Sequence, residues 1–208
     1  MPQTVTLCVT LCQPMPSTKV RHAREESRGR IVDAVAELVR ERSFATLTVE
    51  EVMARAGIGR TLFYRHFDDL AGVLARAGRD AIDELFAAQE VLARGRESFG
   101  EESIRDALAA AVGVYRRHGP VLRAVAEAAA DDERIADGQD AIRRRFDELV
   151  AASLRAASAG VTDVDETARA LNLLNENYLR DAFGREPRVT EDVAVRTLTE
   201  VWQAVVGT

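Results

Sequence analysis

TVEEVMARAGIGRTLFYRHF, the stretch from Thr48 to Phe67, decides the fold. Thr48 is an N-cap whose hydroxyl can accept from first-turn amides, and Val49, Val52, Met53 and Ala56 follow it at helical spacing. Gly57 can take the left-handed conformation that stops this short helix. Ile58 plugs the angle, and Gly59 or its neighbour opens a second helix carrying Arg60, Thr61, Tyr64 and Arg65. Leu62, Phe63 and Phe67 turn inward from that helix, leaving two guanidiniums, a hydroxyl, a phenol and His66 on its other faces. The spacing predicts a helix-turn-helix, with an outer surface suited to phosphate oxygens and base edges in a major groove.

Upstream, Ile31, Val35 and Leu38 form an inward stripe, widened by Val32 and Val39, that predicts a helix from about Ser27 to Arg42. Phe44 and Leu47 bridge it to the helix-turn-helix and complete a three-helix head. Residues 1–22 read as a flexible arm, with Met15 an alternative start. Lys19, Arg21 and Arg24 at its end suit either a phosphate or minor-groove contact or plain solvated disorder. Downstream, Asp68 and Asp69 offer an N-cap for a long helix through Leu74, Ala77, Ala81, Leu85 and Phe86. That helix is the natural lever between head and body.

After a break at Gly95 to Gly100, the pattern predicts a helix from about Glu102 to Arg117, ended by His118-Gly119-Pro120, and a short Ala-rich helix to about Ala130. The acidic stretch Asp131 to Asp140 reads as a loop or frayed turn. Three more helices are expected, at about Asp137 to Ala157, about Asp165 to Phe183, and from near Thr190 onward. The fold class is therefore all-α with about nine helices, divided as arm 1–22, helix-turn-helix domain 23–68 and a larger helical domain 69–208. Arg143-Arg144-Arg145 reads as a solvated face, because successive helical residues point about 100° apart.

The 208 residues are 47% apolar and 5% aromatic, enough to bury a core beside a small head. The formal charge of −6 argues against indiscriminate coating of DNA, but the charge is unevenly placed. From Lys19 to His66 there are ten Lys or Arg against seven Asp or Glu; the rest of the chain has 18 against 27. Such a basic head on an acidic body points one end at phosphate. Cys8 and Cys12 lack companions for a zinc site and read as unpaired thiols. No run is long and apolar enough to span a bilayer, and the leader lacks a cationic start, so a cytoplasmic protein is expected.

Asn172 and Asn175, about 60° apart by helical arithmetic, interrupt the apolar arc of the penultimate helix. Buried amides must find each other, backbone, water or a ligand. On the residues alone, a pair fixing register and a pair reading a ligand both stay open. The same helix carries Ala170, Leu173 and Leu174 on its outer side, so it needs a second partner, most economically the last two helices of another copy.

The order of helix, Phe, Thr-cap, helix, Ala-Gly-Ile and a Phe-Tyr-x-His-Phe ending closely resembles the DNA-binding domain of the TetR family of transcriptional regulators. This resemblance implies contact with double-stranded DNA through Thr48, Gly59, Arg60, Thr61, Tyr64 and His66, with Arg65 a further cation. Two departures stand out: Asp68-Asp69-Leu70 where the family often has a phosphate-contacting Lys, and Met53 where a small residue is usual. The segment LNLLNENYLRDAFGREPRVTEDVAVRTLTEVWQAVVG resembles the mycobacterial ethionamide-resistance regulator subgroup. There the two asparagines and the last helix's Trp line a mostly apolar channel. By position, Asn172, Asn175 and Trp202 become ligand candidates, joined by Tyr115 and Phe146, with core packing the alternative for Trp202 and Phe146.

The resemblance implies a dimeric repressor released by a small lipophilic or amphipathic ligand. A regulator without small-molecule response, or an activator, is the alternative, with a helical enzyme as the rival class. No Ser-His-Asp order, metal-ligand spacing or phosphate loop appears, and His22, His66 and His118 lack evident partners, so no catalytic residue, metal or cofactor is expected.

Overall fold

The computed structural model describes residues 18–94, 100–157 and 160–207. Among them the chain forms α1 (Thr18–Glu41), a 3-10 turn (Phe44–Thr46), α2 (Val49–Ala56), α3 (Arg60–His66), α4 (Leu70–Arg94), α5 (Glu101–Ala128), α6 (Glu133–Ala156), α7 (Val164–Phe183) and α8 (Glu191–Val206). No strand occurs among the described residues. Cys8, Cys12, Met15 and residues 95–99 of the expected break lie outside them.

The head closes around Ile31, Val35, Leu38, Val52 and Phe63, all within a few per cent of full burial. Each such side chain contributes roughly 1.5–3 kcal/mol relative to exposure. The same core takes in Val73 and Leu74 of α4 and Val121 and Ala124 of α5, so the head is seated on the first turns of the lever and the last turns of α5. A second core joins α4 to α8 around Ile104, Val112, Leu154, Leu179, Leu198 and Trp202.

Three expected boundaries are corrected. α1 begins at Thr18 rather than Ser27, so the arm does not reach residue 22. Thr18 to Glu26 has no apolar stripe to announce a helix, but it also has no Gly or Pro, and propagation from an anchored helix adds a hydrogen bond per residue fixed.

His118-Gly119-Pro120 does not end a helix: α5 runs through it, merging two expected helices and leaving eight among the described residues. An interior proline costs about 3 kcal/mol in an isolated helix. Here tertiary contacts outweigh it. Val121, Leu122 and Ala124 are buried just beyond the proline, Arg40 donates to the Arg117 carbonyl at 3.2 Å, and the end of α7 lies hard against Gly119. A Cβ at Gly119 would stand 2.7 Å from the Phe183 carbonyl carbon, so only glycine fits this crossing.

Most of the expected acidic loop is helix as well. Asp132 caps α6 by accepting from the Arg134 amide at 3.0 Å, and Glu133 in the first turn complements the positive helix end.

Candidate functional site

The head presents α3 by holding it from two sides. Phe63 and Phe67 anchor it in the core, at 0% and 7% exposure, while Tyr64 stands 46% exposed with Arg60, Thr61 and Arg65 beside it. Thr48 forms a reciprocal capping box with Glu51. Its hydroxyl accepts from the Glu51 amide at 3.3 Å, and the Glu51 carboxylate accepts from the Thr48 amide at 3.0 Å. Hydrogen bonds from Arg42 and Thr48 hold the Glu51 carboxyl down to about 2.

Gly57 ends α2 at φ 63°, ψ 42°, the left-handed conformation its position required. Arg30 of α1 then satisfies the turn's carbonyls, donating from Nε to Ala56 at 2.9 Å and from Nη2 to Gly57 at 2.7 Å. This brace escaped the sequence reading, since nothing in the local pattern of α1 marks Arg30.

Two head residues are constrained before any partner arrives, one by pairing and one by burial. Arg60 pairs with Glu50 of α2 at 2.7 Å and lies 5.5 Å from the Tyr64 ring centroid. His66 is half-buried, with Nε2 lacking a hydrogen-bond partner. Desolvation lowers its pKa, and Arg24, Arg28 and Arg65 lower it further, so the imidazole favours the neutral form.

In the body, a cavity of about 570 Å³ opens among α4, α5, α6 and α7. Ile82, Leu85, Phe86, Val125, Ile142 and Phe146 are among its apolar lining; Tyr115, Asn172, Asn175 and Glu176 are among its polar lining, together with charged side chains such as Arg79, Asp83, Arg143 and Arg180. Phe86 and Phe146 stack with centroids 4.1 Å apart and planes 6° from parallel, and the Arg145 guanidinium covers Phe86 at 4.1 Å. Thus the three arginines of the 143–145 run diverge: Arg143 pairs with Glu176 and Asp140, Arg145 stacks, and Arg144 is exposed.

The two asparagines do not bond each other. Asn172 donates to Asp147 Oδ1 at 2.8 Å, while Asn175 Oδ1 accepts the indole N–H of Trp202 at 3.1 Å. A carboxylate only accepts and an indole only donates, so the two amides are set in opposite senses. Asn175 keeps its NH₂ for the cavity and Asn172 keeps its carbonyl. Burial raises the Tyr115 hydroxyl above its ordinary range, with Glu176 adding to the effect, so it stays a neutral donor. Trp202, 2% exposed, is not among the lining residues; it stands behind Asn175.

Residues 31–77 match the model of bacterial regulatory proteins of the tetR family, and residues 104–207 match the C-terminal domain of the transcriptional regulator EthR. The chain belongs to the TetR family. The HTH-type transcriptional regulator EthR of Mycobacterium tuberculosis is 25% identical over 196 residues, covering 91% of each chain. That of Mycolicibacterium smegmatis is 22% identical over 202 residues, covering 94% of this chain and 93% of its own. A TetR-like transcriptional regulator from Rhodococcus sp. RHA1 superposes with a TM-score of 0.70 at 20% identity, covering 94% of this chain and 100% of that one. PfmR of Thermus thermophilus, a TetR family transcriptional regulator, gives 0.69 at 20% identity, over 83% and 96%.

This TetR-family protein is a DNA-binding transcriptional regulator, and the helical-enzyme alternative is set aside because the family and the relatives are regulators. The structure brings Gly59, Arg60, Thr61, Tyr64 and Arg65 together at one exposed end, with Thr48 nearby in the α2 cap and His66 half-covered by α1. It brings Tyr115, Phe146, Asn172 and Asn175 together around one cavity. Among the described residues, no helix is long and apolar enough to cross a membrane.

Proposed function

We propose that this regulator is a dimeric repressor of a palindromic operator, released when a lipophilic molecule carrying a hydrogen-bonding polar group enters the body. The observation that carries this is the polar part of the cavity, where Asn175 offers a donor and Asn172 an acceptor beside stacked rings. A site that fixes amides by partners on neighbouring helices suits a ligand such as a secondary amide on an apolar body. In this reading residues 23–68 read DNA, with Arg60 and Thr61 towards bases and Thr48 and Tyr64 towards phosphates.

Residues 69–208 hold ligand and partner subunit. Leu174 and Val205, 38% and 40% exposed on α7 and α8, mark the face that a second copy covers as a four-helix seam. Two heads must then sit about 34 Å apart to enter successive major grooves. The ligand acts only through a preference for the arrangement that spoils this spacing.

A gel shift with the inverted repeats of the protein's own upstream DNA, repeated with a series of lipophilic secondary amides, tests the proposal. Retardation that one of these amides reverses, and that Asn175→Leu makes insensitive to that amide while still shifting, is the expected outcome. Retardation unaffected by every member of the series would leave a regulator without this ligand class.

A further inference from the structure

Among the described residues, Arg123 of α5 is the one charged side chain that is buried, at 7% exposure. Its fork reaches three helices. Nε donates to the Gly184 carbonyl at 2.8 Å, Nη2 to the Val39 carbonyl at 2.9 Å, and Nη1 to Glu127 Oε1 at 2.6 Å. Val39 lies in the last turn of α1 and Gly184 is the C-cap of α7, so both carbonyls belong to helix ends without intrahelical partners for them. The negative ends of two helices, one in the head and one in the body, converge on one guanidinium. A buried cation costs several kcal/mol unless it is paired this well, which makes the position poor as mere filler.

The surroundings give the joint a direction. Leu122, the residue before Arg123, lines the cavity, as do Leu179 and Arg180 about a turn before Gly184 on α7. Gly119 and the Phe183 carbonyl hold the two helices in direct backbone contact one turn away. On the head side, Val39 sits in the core and the next turn carries Arg42, which pairs at 2.6 Å with Glu51 of the Thr48 capping box. A second tie, Arg40 to the Arg117 carbonyl, runs beside it.

We propose that Arg123 is the positioning residue through which occupancy of the cavity is felt by the head. The inference rests on the ligand-responsive reading above. Anything that wedges α5 from α7 parts Gly184 from Val39, and a rigid planar fork cannot follow both carbonyls. The bond to α1 or the bond to α7 must yield. The end of α1, and through Arg42 the cap of α2, then moves relative to the body. Lysine cannot substitute, because a single ammonium lacks the geometry to bridge two carbonyls and a carboxylate.

The test needs no identified ligand. Ala111 lines the cavity, and Ala111→Phe fills part of it. Operator affinity is measured by fluorescence anisotropy for the full chain, Ala111→Phe, Arg123→Lys and the double variant, with circular dichroism confirming the fold. Filling the cavity should weaken binding about tenfold in the parent and less than twofold in the Arg123→Lys background. Equal weakening in both backgrounds overturns the role of Arg123 and leaves the ligand reading standing. No weakening by Ala111→Phe in the parent overturns the ligand reading, and the proposal with it. Should Arg123→Lys not fold, amide hydrogen exchange on Ala111→Phe alone decides. Protection at Arg42 and Gly184 must fall together, and unchanged protection at Arg42 overturns the proposal.

Discussion

Gly119→Ala tests the crossing of α5 and α7 most directly. A helix-interior glycine normally gains stability on conversion to alanine, by up to about 1 kcal/mol. Here the new methyl would lie 2.7 Å from the Phe183 carbonyl carbon and 3.2 Å from the Gly184 nitrogen, against an ordinary contact of 3.4 Å or more. The Phe183 carbonyl oxygen would be nearer still; at the carbonyl carbon the overlap is about 0.7 Å, and the neighbours are backbone, which cannot rotate away. Overpacking of this kind costs about 1–3 kcal/mol. Taking the upper end and subtracting the propensity gain leaves a net loss of about 2 kcal/mol. For a chain of this length that lowers Tm by about 4–8 °C. Gly138→Ala is the matched control: Gly138 is exposed inside α6, and a Cβ there meets nothing within 4 Å. It should raise Tm by about 2–4 °C. Thermal unfolding by circular dichroism decides, and a Gly119→Ala protein as stable as the parent would refute the close crossing.

Three further outcomes follow from geometry already described. Arg60→Ala should cost operator binding about 1–3 kcal/mol, whereas Glu50→Gln, which frees Arg60 from its 2.7 Å pair, should leave affinity equal or slightly higher; anisotropy titrations compare them. The Glu51 carboxyl is depressed in the folded state, so the unfolded chain binds the extra proton and its stabilisation is present above about 4.5 and lost as pH falls towards about 2. Urea midpoints of the parent and Glu51→Gln should therefore converge across that window, and a gap constant from pH 5 to 2.5 would contradict it. Leu174→Glu with Val205→Glu should give a monomer in sedimentation that no longer shifts operator DNA; a persistent dimer would place the seam elsewhere.

The head was legible because its signals are local. A Thr cap and a stop glycine lie within ten residues, and the structure shows both, adding a reciprocal capping box with Glu51 that the sequence reading does not use. What escaped was decided at a distance. Pro120 should stop a helix by any local rule, yet α7 and the head core hold α5 continuous on either side of it. The asparagines were visible as polar intruders on α7, but their partners lie 25 and 27 residues away on other helices. Arg30 and Arg123 look like ordinary surface cations in sequence. Only the ends of α2, α1 and α7 reveal them as donors to orphan carbonyls.

The near-parallel rings of Phe86 and Phe146, with the Arg145 guanidinium over Phe86, clasp α4 to α6 well away from the head. A clasp of this kind resists separation more than slight rolling, so in the ligand-responsive reading it is the pivot of α4. Leu70 lies sixteen residues from Phe86, a radius of about 24 Å at 1.5 Å per residue. A swing of about 5° about that pivot carries the Leu70 end about 2 Å, more than half the length of a hydrogen bond to a base edge. In the ligand-responsive reading, small volume changes beside the rings are thereby enlarged before they arrive at α3.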